Sequence, residues 1–154
     1  MNWIHVEASR VIDAPPEAVY AVISDYHVGH PAILPPAFSS LIVEKGGKGA
    51  GTVFRSSVTI WGTTQPMHAE VTEPEPGHLL VETDLETGQY THFIVEPLNG
   101  GTQTRMTFSS EFPRPAGIQG FLMNLMMPSV VQKMYHEELQ NLANYVGSTQ
   151  TATA

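Results

Sequence analysis

The sequence predicts an α+β domain in which a curved antiparallel sheet of about seven strands wraps around one long C-terminal helix. Three observations carry this prediction. First, sustained helical periodicity is confined to residues 115–147. Ile118, Phe121, Leu122, Leu125 and Met126 recur there at three- and four-residue steps, and Val131, Met134 or Tyr135, Leu139, Leu142 and Val146 continue the stripe. Second, the chain from Phe38 to Phe112 breaks into short strand-like runs divided by glycine and proline turns. Third, no helical segment separates those runs, so they read as a meander with hairpin links rather than as βαβ units. A sheet with one face to bury and a helix with one apolar stripe satisfy each other as two layers.

The elements follow in order. Residues 3–12 are rich in β-branched side chains and form the first strand. Asp13-Ala14-Pro15-Pro16-Glu17 starts a short helix: a cap at Asp13 or Ala14, proline in the first turn and an acid near the positive end of the dipole. That helix runs to about Asp25. Residues 26–36 hold Gly29, Pro31, Pro35 and Pro36 and form a loop or a broken second helix. Strands follow at 38–44, 52–61, 65–73, 78–86, 89–96 and 102–112. The glycine-rich 45–51 (KGGKGAG) precedes a strand rather than a helix, so it is a hairpin turn and not a phosphate loop. In the last helix Pro128 predicts a kink or restart. Gly147 predicts the stop. This gives one domain over 1–147 and a small, polar, disordered tail over 148–154.

Composition narrows the function. The chain has 154 residues, the size of one ordinary domain, and 42% apolar residues, enough for a core. With no cysteine there is no disulfide and no thiolate chemistry, which fits a reducing, cytoplasmic setting. The start lacks a basic and an apolar region, so no signal peptide is expected. No apolar run is long enough for membrane insertion. A net charge of −8 with seven Lys and Arg offers no footprint for nucleic acid. Seven histidines include one close pair, His27 and His30, with no third ligand at metal spacing, so no metal and no cofactor is expected.

Four segments carry a family likeness: Ile12 to Asp25 (IDAPPEAVYAVISD), Val71 to Pro76 (VTEPEP), Glu96 to Thr102 (EPLNGGT) and Leu139 to Leu142 (LQNL). In order and spacing they resemble the START-like (SRPBCC) superfamily, polyketide cyclase/dehydrase-like proteins included, over nearly the whole chain. The resemblance implies a helix-grip fold with a cavity between sheet and last helix that takes an apolar or amphipathic ligand. It implies no single chemistry and no catalytic residue, because members include carriers, receptors and cyclases.

Candidate residues come from strand alternation. Thr104, Met106, Phe108, Ser110 and Phe112 share the inward face of the last strand. Phe54, Val58 and Ile60 face inward with Arg55 outward, and Met67, Ala69 and Val71 face inward in the next strand. In residues 78–86 the inward set reads as Leu79, Val81, Thr83 and Leu85, with Glu82, Asp84 and Glu86 outward. The expected ligand lining is Phe54, Val58, Met67, Met106, Phe108, Leu122, Met126 and Met134, nearly all apolar, and the same residues would serve as plain core. His92 faces the cavity if Glu96 pairs with Thr102, and a one-residue slip turns it out. Tyr26 and His30, four residues apart, read either as a polar gate or as loop packing. Tyr26, His30 and His92 are the candidate acid–base groups. Met123 and Met127 exceed what one buried stripe needs and fit an adaptable pocket or a self-association surface.

Two functions follow. One is a binder that carries or sequesters a small hydrophobic or amphipathic molecule, such as a lipid, in an internal cavity, favoured by the sparse polar lining. The other is a polyketide cyclase/dehydratase-type enzyme, which two inward titratable groups near one ligand atom would favour. A third reading is a partner-binding module using the Met-rich helix. Monomer and homodimer are both compatible with the pattern.

Overall fold

The computed structural model describes residues 3–114 and 116–153, without the side chains of Gln119, Leu122 and 150–153. The order is β1 (Trp3–Ile12), α1 (Pro16–Ile23), α2 (Gly29–Ile33), β2 (Ile42–Lys45), β3 (Val53–Ile60), β4 (Thr63–Glu75), β5 (Leu79–Asp84), β6 (Tyr90–Leu98), β7 (Gln103–Pro113) and α3 (Gly117–Thr153). The seven strands form one antiparallel sheet in the order β1-β7-β6-β5-β4-β3-β2. This is the predicted α+β helix-grip architecture. The meander β2 to β7 is sequential, and β1 closes onto β7 through the pairings Ile4–Phe112, Val6–Ser110 and Ala8–Phe108.

The core lies between the concave sheet face and the second half of α3. Val131, Tyr135, Leu139, Leu142 and Val146 are buried there against Val6, Ala8, Leu80, Phe93, Val95, Met106 and Phe108. Gln132 Nε2 donates to the Glu7 carbonyl and Asn141 Nδ2 to the Ile33 carbonyl, tying α3 to β1 and α2. Among the described residues, no helix is long and apolar enough to cross a membrane.

Several expectations are corrected. α1 has Pro15 at its N-cap position, not Asp13 or Ala14, with no side-chain cap bond and Pro16 as its first residue, whereas α2 is the expected second short helix. α3 runs unbroken through Pro128, because one missing donor is absorbed in a long helix. It also passes Gly147 and reaches Thr153, so the described part of the segment expected as a disordered tail is helical. Glycine ends a helix only when it takes the left-handed conformation, and Gly147 does not. The first-half stripe does not pack: Ile118, Phe121, Leu125 and Met126 are exposed. The inward line there is Met123, Met127 and Val131, stepping by four, because the sheet curves away and leaves a cavity under this half of the helix.

In β5 the predicted faces are exchanged. Leu80 pairs with Phe93 and Glu82 with Thr91, which places Leu80, Glu82 and Asp84 inward, whereas Leu85 is exposed. The run Leu79-Leu80-Val81 is apolar in both phases, so alternation alone does not choose, and the register shift between Thr72 and Glu75 moves the strand. Asp84 tolerates burial because its carboxylate accepts from the His68, Glu86 and Thr87 backbone N–H groups and the Thr87 hydroxyl, at 2.8–3.2 Å. Burial alone would raise this carboxyl, but the donors outweigh it and hold its pKa below the ordinary value.

Candidate functional site: a cavity with a polar closed end

A cavity of about 430 Å3 lies between the sheet and α3. Its exposed lining residues, Gln65, Pro66, Thr87 and Met123, mark a mouth between the β3–β4 hairpin, the β5–β6 turn and the start of α3. The walls are Phe54, Val58, Ile60, Met67, Phe93, Phe112, Met127, Val131 and Met134. Of the expected lining, Phe54, Val58, Met67 and Met134 are on this wall. Met106 and Phe108 are fully buried in the packed core behind it. Met126 is about half exposed and off the wall. The side chain of Leu122 lies outside the described residues.

The closed end is polar, which apolar patterning does not foresee. His30 is 2% exposed and Glu138 4% exposed, and both line the cavity with Glu82 and Tyr135. His30 Nδ1–H donates to the Ile23 carbonyl at 2.7 Å. That bond turns Nε2 toward the carboxyls, 3.5 Å from Glu82 Oε1 and 3.9 Å from Glu138 Oε1. The buried Tyr26 hydroxyl donates to Glu82 Oε1 at 2.7 Å. The Tyr26 ring stacks on His30, centroids 4.6 Å apart, and on Phe54 at 5.2 Å. Tyr26 and His30 thus belong together, as their four-residue spacing suggested, but Tyr26 stands behind the wall as a positioning residue. Among the described residues nothing hydrogen-bonds the Glu138 carboxyl. Burial, then the nearby Glu82 charge, pushes its pKa well above the usual carboxylate range. Burial likewise raises the Tyr26 phenol, with Glu82 adding to the effect. A second polar chain runs Thr91–Ser110–Tyr135: the Thr91 and Ser110 hydroxyls are 2.6 Å apart, and Ser110 also bonds the Tyr135 hydroxyl. Burial pushes the Tyr135 phenol up to about 12, against the opposing pull of its Ser110 bond.

This end is assembled by the glycine-rich turn. The Tyr26 N–H donates to the Gly47 carbonyl and the Gly49 N–H to the Ser24 carbonyl, at 2.8 and 2.9 Å. Gly47 has φ +134°, and a Cβ there would lie 1.9 Å from His27 Nε2. The turn therefore clasps the α1–α2 junction, which delivers Tyr26 and His30.

His92 is not brought to the cavity. Glu96 pairs with Arg105 and Val95 with Met106, so Phe93 and Val95 face inward. His92 packs beside Tyr90 on the outer face, in a shallow recess with His78 and Glu75. His92→Ala is expected to leave cavity binding unchanged and to shift stability by no more than about 0.5 kcal/mol; a titration beside a denaturation curve checks both.

Comparison with known proteins agrees with this geometry. No curated protein matches the chain. Among solved structures, the KanY protein superposes with a TM-score of 0.83 at 26% identity, covering 96% of this chain and 99% of that one. The Zhui aromatase/cyclase from Streptomyces sp. R1128 gives 0.75 at 18% identity, covering 95% and 94%. A START superfamily protein from Mycobacterium smegmatis gives 0.67 at 18%, covering 96% and 98%. The last two show the fold. Residues 4–147 match the model of the polyketide cyclase / dehydrase and lipid transport family, and the chain belongs to that family.

Proposed function

We propose that this protein binds a small amphipathic molecule in the cavity, its apolar body against Phe54, Val58, Met67, Met127 and Met134 and its polar end against His30, Glu82 and Glu138. The observation that carries this reading is the Glu138 carboxyl, buried and without a hydrogen bond among the described residues, lining an otherwise largely apolar space. A buried carboxyl without a hydrogen bond is costly, and a ligand that supplies one recovers part of that cost. Apolar burial supplies the rest of the affinity at roughly 25 cal/mol per Å2. The absence of cysteine supports a cytoplasmic setting.

The test is displacement of an uncharged fluorophore, N-phenyl-1-naphthylamine, with wild type and Val58→Trp. The indole fills the cavity from its wall, so binding should weaken by about tenfold or more while the unfolding midpoint is retained. Equal binding by both proteins would place the probe elsewhere.

A second reading, acid–base turnover of the bound molecule, is favoured by His30 Nε2 standing between two carboxyls. An imidazole held through its Nδ1–H by the Ile23 carbonyl presents Nε2 to the ligand as a base, and Glu138, whose pKa burial raises, presents an acid. In that case His30→Gln retains binding and loses turnover.

A further inference from the structure

We propose, building on the cavity-binding reading, that the ligand is cationic: an apolar molecule ending in a protonated amine, seated with its ammonium between Glu82 and Glu138. The cavity lining includes three carboxyls, Glu82, Asp84 and Glu138, and neither lysine nor arginine. Asp84 is occupied by its four donors, three from the β5–β6 turn and one from His68 in β4, and takes no part. Glu82 Oε1 accepts from Tyr26, and Glu138 has no hydrogen-bond partner among the described residues. The two therefore offer acceptors facing one space, with His30 Nε2 beside both.

Each ligand class meets this end differently. A carboxylate, phosphate or sulfate would be buried beside two carboxyls with neither lysine nor arginine to pair with, and burying a poorly paired charge is strongly unfavourable. A neutral alcohol satisfies one acceptor. An ammonium has three donors, pairs with carboxylate by charge-assisted bonds, and shares the lining with the aromatic residues Phe54, Phe93 and Tyr135, a ring type that attracts cations. Its charge also favours ionisation of Glu138, against the burial that raises that carboxyl's pKa. The chain's net charge of −8 draws cations toward the mouth.

The experiment uses three ligands with one tail: decylamine, 1-decanol and decanoate, each titrated against the N-phenyl-1-naphthylamine complex at neutral pH. Decylamine should displace the fluorophore at least about tenfold more tightly than decanol, with decanoate weakest. In Glu138→Gln that preference should collapse to within about threefold, with decanol affinity kept. Glu82→Gln provides the same readout if the first variant does not fold. Decanol or decanoate binding as tightly as the amine overturns the charge assignment and leaves cavity binding standing. An amine preference that survives both variants traces to the surface charge and overturns it too. Failure of the fluorophore and all three ligands to bind overturns the cavity reading, and this inference with it.

Discussion

Phe108→Ala is expected to lower the free energy of unfolding by about 3–5 kcal/mol. The ring is 0% exposed in β7, the strand between β1 and β6. It meets Phe93 edge-on at 4.8 Å and Tyr135 at 5.6 Å, joining sheet and helix across the core. Its neighbour on β1 is Ala8, too small to collapse into the void. A domain of this kind has about 5–15 kcal/mol in total, so the variant should sit near the threshold of soluble expression. Urea denaturation should show a lower midpoint with an unchanged slope. A loss below about 1 kcal/mol would mean the ring is not in the packed core.

Glu138→Leu is expected to stabilise the protein, increasingly so as pH rises. The folded pKa of Glu138 is raised by burial and by the Glu82 charge. A raised folded pKa means that the carboxyl's contribution is fully present below the unfolded value, about 4.3, and is lost as pH climbs toward the folded one. Across that window the unfolded chain has released the proton and the folded chain has kept it. Wild type should therefore lose up to about 1.4 kcal/mol per pH unit through this group, and the leucine variant should not. Unfolding curves at pH 5, 6 and 7 should diverge steadily, while binding of a polar-ended ligand is lost. A constant destabilisation at all three pH values would show a well-partnered carboxyl. Gain of stability with loss of function marks a group retained for its chemistry.

Most of the fold was legible because strand alternation and helix period are local. Phe54, Ala69, Val71, Met106 and Phe108 and the Val131–Val146 stripe are buried as their spacing requires, and Val58, Ile60, Met67 and Phe112, half-buried, line the cavity. What failed was set by longer-range geometry. The turn of His92 depends on where the β6–β7 hairpin closes, and it closes at Leu98–Gln103, which pairs Glu96 with Arg105 rather than Thr102. The phase of β5 depends on a register shift in β4. The polar end was missed because carboxylates were assigned to solvent on principle. Glu138 nonetheless carried a signal: it lies three residues after Tyr135 and four before Leu142, inside the buried stripe, where a charged residue has no structural reason to be. Met123 and Met127, in excess of a packed stripe, were a fair pointer to the cavity wall.

The clasp at Gly47 has a consequence for how variation in this protein is read. Gly47 is not on the cavity wall, yet it sets the seat of the loop that carries Tyr26 and His30. A methyl group at this turn would push on the His27 ring and, through one backbone bond, shift the residues that hold Glu82 in place. In a substitution map, sensitivity at Gly47 would therefore report on the seat of the cavity's polar end rather than on the turn alone.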